Sequence, residues 1–168
     1  MKNLHYLLQS LFLFIIALSL IQCSKDDNSP KNNNFIKMNG VDFPIISASM
    51  IGVSNGDNGH TGIALVSGNE TQANTLTIDV ESFTQATIEG HYAYPEETGK
   101  KKLDYWLTNY SAFNESTMHS SNLESGDVSI SLNSGNNYTI DMNLTMVDGV
   151  TFTGSYSGEF QVMFYNHQ

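Results

Sequence analysis

Apolar and polar residues alternate along much of the chain after residue 35, and a repeat of two is typical of β-strands with one buried face. Leu76, Ile78 and Val80 alternate with polar neighbours, and the two most regular stretches lie at 138–146 and 150–162. No sustained apolar stripe with helical spacing follows the N-terminal segment, so long helices are not expected. The pattern therefore predicts an all-β fold.

Turn-forming Gly, Asn and Asp residues separate the predicted strands, which number about nine or ten. We interpret residues 35–168 as a single all-β domain, an antiparallel meander of short strands. Such a meander forms either a β-sandwich or a curved up-and-down, lipocalin-like barrel, and periodicity alone does not separate these two. Gly154 and Gly158 on an inward face favour strong curvature.

Three segments between the regular stretches have a local interpretation. Asn39-Gly40 is a strong hairpin signal, so a short strand is expected on each side of it. Residues 102–108 are expected to form a strand that carries Tyr105 and Trp106. Residues 111–126 are polar and rich in Ser and Asn, and we predict a loop there.

The last hairpin has a predictable register, because a shift of one residue would turn one apolar face outward. A two-residue turn at Asp148-Gly149 would cause that mismatch. A three-residue loop ending at Gly149 keeps both apolar faces together, with Gly149 in the left-handed conformation. The expected partners are Met146 with Val150, Leu144 with Phe152, and Met142 with Gly154.

The N-terminal segment is typical of a secretory signal: Lys2 precedes an apolar run from about Leu7 to Ile21, too short to span a bilayer comfortably. Leu20-Ile21-Gln22-Cys23 resembles the lipobox of bacterial lipoproteins, although Gln22 stands where Gly, Ala or Ser is usual. The resemblance implies that residues 1–22 are a lipoprotein signal peptide and that Cys23 carries the acyl chains. The alternative is an ordinary signal peptide cut after Ser19.

Residues 23–34 are polar and cannot bury a core, so we expect them to form a disordered, flexible tether. A signal helix is expected to precede this tether. Its first part resembles the lysine-plus-acidic export signal of lipoproteins in Bacteroidetes-type bacteria. That resemblance implies a lipid-anchored, cell-surface location at the outer membrane, whereas the alternative is a solvated linker. The export-signal residues are Ser24, Lys25, Asp26 and Asp27.

Charge excludes one class of partner. The chain has a formal net charge of −10 and its seven basic residues are all lysines. Nucleic-acid binding requires a basic surface for phosphate contacts, so we do not expect it. The single cysteine, once acylated, leaves no disulfide and no free thiol nucleophile.

Three further segments resemble uncharacterised small secreted lipoproteins of Bacteroidetes-type bacteria, a group with a domain of unknown function. They are Phe35-x-x-x-Asn39-Gly40-x-x-Phe43, Gly90-x-Tyr92 and residues 153–160. The resemblance implies secretion, anchoring and an all-β domain, and it implies no activity.

Candidate chemistry is sparse. Tyr92, Tyr94, Tyr105 and Trp106 are candidate ligand-binding residues, since exposed rings stack on sugars, and the alternative is that they fill the core. Glu96, Glu97 and Asp104 could supply a carboxylate pair for glycoside chemistry, or could be solvated. The dispersed histidines, including His60, could form a zinc site only through folding. The segment Asp57–His60 is interpreted as an ordinary turn.

We therefore expect no catalytic residues, metal or cofactor, and a non-enzymatic, surface-anchored lipoprotein that binds an extracellular ligand or supports an envelope assembly. A glycan-binding or glycan-processing accessory protein is one alternative. A lipocalin-like carrier of a small apolar ligand is the other. An open apolar cavity inside a barrel would favour the carrier, and solvent-exposed, coplanar rings around Trp106 would favour glycan binding.

Overall fold

A computed structural model describes residues 33–55, 58–68, 72–82, 87–114 and 117–167. Every regular element in these residues is a β-strand, which confirms the all-β prediction, and they include no helix able to cross a membrane. In chain order the strands are β1 (Asn33–Asn34), β2 (Lys37–Met38), β3 (Val41–Asp42), β4 (Ser47–Asn55), β5 (Asn58–Gly68), β6 (Gln72–Val80), β7 (Gly90–Tyr94), β8 (Lys101–Lys102), β9 (Asn109–Asn114), β10 (Thr117–Ser134), β11 (Asn137–Met146), β12 (Thr151–Glu159) and β13 (Gln161–His167).

The strands form one open sheet in the order β13-β4-β5-β6-β9-β10-β11-β12-β2-β3, with β1, β7 and β8 attached beside this path. Most pairs are antiparallel, as the meander predicts, but β13 runs parallel to β4 and β7 runs parallel to β8. Strand β12 already pairs with β11 along one edge and with β1 and β2 along the other. The chain after β12 therefore continues to the free edge of β4 at the opposite end of the sheet.

Strand β10 joins two lobes of this sheet. Its first part, residues 117–122, pairs with β9 in the first lobe, which also contains β13, β4, β5 and β6. From Leu123 onward it pairs with β11 in the second lobe, and the register shifts between Leu123 and Ser125. Gly126 follows this irregularity with φ of +149°, and a Cβ atom there would lie 2.3 Å from the carbonyl oxygen of Asn143. Glycine therefore allows the close backbone approach at the bend.

The inner faces of both lobes contribute to one apolar core. Tyr110 of β9 and Phe152 of β12 lie on different lobes, yet their ring centroids are 5.3 Å apart. The sheet therefore curves over itself and fills the space between its lobes with large side chains. The fully buried members include Met50, Ile63, Leu65, Leu76, Ile78, Ile140, Leu144, Phe152 and Phe160.

The predicted Asn39-Gly40 hairpin and the predicted register of the last hairpin are both confirmed. Asn39 and Gly40 have φ of +52° and +80°, the two left-handed residues of a type I′ turn between β2 and β3. In the last hairpin Leu144 pairs with Phe152, and Gly149 has φ of +83°. The partners Met146 with Val150 and Met142 with Gly154 are also as predicted.

Two local predictions are wrong. Residues 111–126 are not a loop, because they belong largely to the β9–β10 hairpin, which is held by backbone pairing even though residues 117–120 are all exposed. An apolar alternation is absent there because that end of β10 has no buried face. Residues 102–108 do not form the predicted strand, because they contain only the end of β8 and then a turn at 105–107.

Asn33 and Asn34, assigned to the tether from the sequence, form β1 and pair with Ser157 and Tyr156. The side-chain amide of Asn34 also donates to the carbonyl oxygen of Phe43, at 3.1 Å. The folded domain thus begins slightly before residue 35.

Gly154→Ala should lower the free energy of unfolding by about 3 kcal/mol, combining left-handed strain with overpacking. Gly154 has φ of +120°, and a Cβ atom would lie 2.2 Å from the carbonyl oxygen of Phe35. Gly62→Ala is the matched control, because a Cβ atom there would meet its nearest neighbour at an ordinary 3.8 Å. Urea denaturation of both variants measures the difference, and equal stabilities would contradict the packing described here.

Candidate functional site

The structure separates the four aromatic candidates. Tyr92 is fully buried and its hydroxyl donates to the carbonyl oxygen of Ile88, at 2.7 Å. Burial raises the pKa of Tyr92 to about 12. Tyr92 belongs to the core, so the expectation that it contacts a ligand is wrong.

The other three aromatic residues meet at the surface. The rings of Tyr94 and Tyr105 stack with centroids 4.8 Å apart and an interplanar angle of 21°. Trp106 lies beside Tyr105 at 6.5 Å and 76°, and 69% of it is exposed. These residues form what we call the aromatic surface: Tyr94, Tyr105 and Trp106. Tyr105 and Trp106 are exposed as glycan binding would require, whereas Tyr94 is half-buried, and Trp106 is not coplanar with Tyr105.

Asp104 is the reason that residues 105–107 form a turn and not a strand. Its Oδ1 accepts hydrogen bonds from the backbone N–H groups of Trp106 and Leu107, both at 2.8 Å. The backbone N–H of Thr108 also donates to the carbonyl oxygen of Asp104, at 2.9 Å. Aspartate commonly stabilises turns by accepting from the backbone N–H two residues ahead. We call residues 104–108 the aromatic turn.

The aromatic turn is hydrogen-bonded to the edge of β6 at Asp79. The backbone N–H of Asp104 donates to the carbonyl oxygen of Asp79, at 2.9 Å, and the backbone N–H of Asp79 donates to Thr108 Oγ1, at 3.0 Å. Leu103 forms an antiparallel bridge with Val80. These bonds continue the sheet beyond β9 and cover Asp79 from one side.

The strand register brings His60 to Asp79. Ile78 and Val80 point into the core, so Asp79 between them points to the outer face of β6. Asp79 lies opposite Gly62 of β5, and His60 lies two residues away on the same face. On that face Nδ1 of His60 lies 2.6 Å from Oδ1 of Asp79.

Asp79 is a carboxylate in an unfavourable environment. Its side chain is 10% exposed, against 39% for His60. Desolvation by burial raises the pKa of Asp79, and repulsion from Asp104 and Glu81 adds to this, whereas the hydrogen bond and charge of His60 lower it. The net effect is a raised pKa. Glu81 itself pairs with Lys102, at 2.7 Å, so that cation is already engaged.

His60, Asp79 and Asp104 together place three possible metal-ligand atoms within 4.8 Å of one another. The sequence analysis missed this cluster, since its members come from β5, β6 and the aromatic turn. One signal was present: Asp79 is the only charged residue in the alternating apolar stretch 75–80.

His60 lies within strand β5 and not in the turn predicted for residues 57–60. Asp57 lies outside the described residues. The expectation of no metal stays a prediction.

The remaining candidates do not join this cluster. Glu97 pairs with Lys100 at 2.9 Å on the surface. His91 contacts the hydroxyl of Ser129 and His119 contacts the carboxylate of Asp148, both at 2.7 Å. Cys23 and the export-signal residues, Ser24 to Asp27, lie outside the described residues, so lipidation and export stay predictions.

Asp79→Asn should raise the free energy of unfolding at neutral pH in chelator-containing buffer. The pKa of Asp79 is raised in the folded state, so protonation of this carboxyl group stabilises the fold. That stabilisation is complete below the ordinary pKa of 3.8 and is lost as pH rises through the raised pKa. The gain from Asp79→Asn should therefore shrink as pH falls toward 3.8.

Urea titrations between pH 3 and pH 7 measure this trend. Asp42→Asn, which replaces an exposed aspartate of β3, is the control and should change the free energy of unfolding by at most about 0.5 kcal/mol. A stability difference for Asp79→Asn that does not vary with pH would contradict the interpretation.

Comparison of the chain with protein-family models, curated proteins and solved structures found no match in any of the three.

Proposed function

We propose that this protein is a lipid-anchored, surface-exposed and non-enzymatic binding domain, and that its aromatic surface binds a neutral glycan. The observation that carries the proposal is the stack of Tyr94 on Tyr105 beside the exposed ring of Trp106. Large exposed aromatic residues grouped on one turn are unusual on a surface without a partner. The Asp104 hydrogen bonds hold their backbone in place before a ligand arrives.

A saccharide suits this surface chemically. The face of an aromatic ring is electron-rich, and the C–H groups on one face of a pyranose are weakly positive, so the two attract each other. The net charge of −10 disfavours anionic ligands, and this is why we propose a neutral glycan.

The filled core argues against the carrier function. Large rings occupy the interior: Phe152 contacts Phe43 edge-on at 5.4 Å, and Phe160 contacts Tyr138 at 5.7 Å. A cleft of about 370 Å³ does open between the start of β4 and the β12–β13 junction, but Ser47, Glu159 and Gln161 are among its lining residues. Such a lining does not suit a small apolar ligand.

A role in an envelope assembly is the second candidate, and it rests on a different surface. The outer face of β4 and β13 carries four exposed apolar side chains in paired positions, Met163 beside Ile51 and Tyr165 beside Val53. Exposed apolar strips next to a free sheet edge are suited to protein contacts.

Trp106→Ala should weaken glycan binding at least about tenfold, because tryptophan truncation at a binding site typically removes more than 1.4 kcal/mol. A glycan array with the purified protein, followed by calorimetry on the best neutral ligand, measures the change. Phe113→Ala is the matched control, since Phe113 is a 50% exposed aromatic residue outside the aromatic surface. Absence of saturable glycan binding, or equal losses in the two variants, would exclude the proposed site.

Cys23→Ala should release the protein from the membrane fraction, since the proposed anchor is the acylated cysteine. Several acyl chains stabilise membrane attachment by about 0.8 kcal/mol per buried methylene, so the unmodified chain would lack durable attachment. Mass spectrometry of the native protein should find Cys23 as an acylated N-terminal residue. An N-terminus at Leu20 with an unmodified thiol would contradict the anchor.

A further inference from the structure

We propose that His60, Asp79 and Asp104 bind a divalent transition-metal ion such as zinc, and that the ion fixes the aromatic turn to the outer face of the sheet. The three side chains come from three separate segments, and a shared ion would connect all of them. This inference does not depend on glycan binding by Trp106.

The geometry is close to that of a metal site. The three ligand atoms lie within 4.8 Å of one another. Two ligand atoms on a tetrahedral zinc ion stand roughly 3.4 Å apart, given bonds of about 2.1 Å. Binding an ion would therefore require the 2.6 Å contact between His60 and Asp79 to lengthen and the longer separations, of up to 4.8 Å, to shorten. Asp104 can join without disturbing the turn, because its Oδ1 holds the backbone while Oδ2 accepts no hydrogen bond from the described residues.

The electrostatics favour a cation at this position. Two carboxylates and one imidazole converge, and the neighbouring Lys102 is engaged by Glu81. The side chain of Asp79 is 90% buried, yet its Oδ2 accepts no hydrogen bond from the described residues. A buried carboxylate requires a compensating charge or proton donors. A dication would compensate Asp79 and remove its repulsion with Asp104.

The donor set favours a transition metal over calcium. Imidazole nitrogen and carboxylate oxygen are both ligand types that zinc accepts, and with three protein ligands a fourth position stays open to water. Calcium takes six to eight oxygen ligands, and this cluster offers only two carboxylates. The partly exposed ring of His60 gives solvent access to the open position.

The test is calorimetric titration of zinc into the chelator-treated protein, purified in detergent without a histidine tag. Intrinsic fluorescence is a second readout, since Trp106 is the only tryptophan and lies two residues from Asp104. We expect one equivalent of zinc to bind, with a saturable fluorescence change at the same stoichiometry, and no response to calcium at equal concentration.

Three variants locate the site. Asp104→Asn removes one charge while its side-chain oxygen can still accept from the turn backbone, and His60→Gln removes the nitrogen ligand. Each should weaken zinc binding at least about tenfold, with circular dichroism confirming that both remain folded. His119→Gln is the control, because His119 forms a similar histidine–aspartate contact with Asp148 away from this cluster.

Unchanged affinity in both site variants, loss of binding in His119→Gln alone, or tighter binding of calcium than zinc would overturn the proposal. Failure of glycan binding in the Trp106→Ala experiment would not affect it, since zinc titration requires no sugar. If His60→Gln fails to fold, Asp104→Asn alone decides the outcome.

Discussion

The bend in strand β10 is the constraint on which the rest of the structure depends. One strand supplies hydrogen bonds to both lobes of the sheet, first to β9 and then to β11, and it must change direction between them. The register irregularity after Leu123 and the backbone contact at Gly126 make that change possible. Because the two lobes then face each other, rings such as Tyr110 and Phe152 meet across the interior. A chain without disulfides in these residues rests on this apolar contact.

The same curvature determines what lies outside. With the inner face of β6 occupied by core residues such as Ile78 and Val80, Asp79 between them is directed to the outer face. Asp79 would be exposed if this face of β6 were in contact with solvent alone. The segment that connects β8 to β9 instead runs along the edge of β6 and makes its bonds at Asp79. The aromatic turn is thus attached to the sheet at the most strongly desolvated carboxylate of the region.

The aromatic surface and the charged cluster meet at the aromatic turn. Asp104 has two roles there, because it both closes the turn that presents Trp106 and directs its charge toward His60 and Asp79. A cation at the cluster and a ligand on the rings would act on the same five-residue turn. Binding of the ion would reduce the freedom of the turn, and a more rigid turn loses less entropy when a ligand binds.

Local residue patterns are enough to predict the fold class, the Asn39-Gly40 hairpin and the register of the last hairpin. Alternation of apolar residues predicts strands because side chains of a strand point to opposite faces, and Gly149 and Asn39-Gly40 define their hairpins through local backbone conformation. Only the tertiary structure decided the parallel β13–β4 pair, the polar β9–β10 hairpin and the meeting of His60 with Asp79 and Asp104. These features depend on which strand edges and faces lie together after the sheet bends. A pattern of neighbouring residues carries no information about contacts made between segments far apart in the chain.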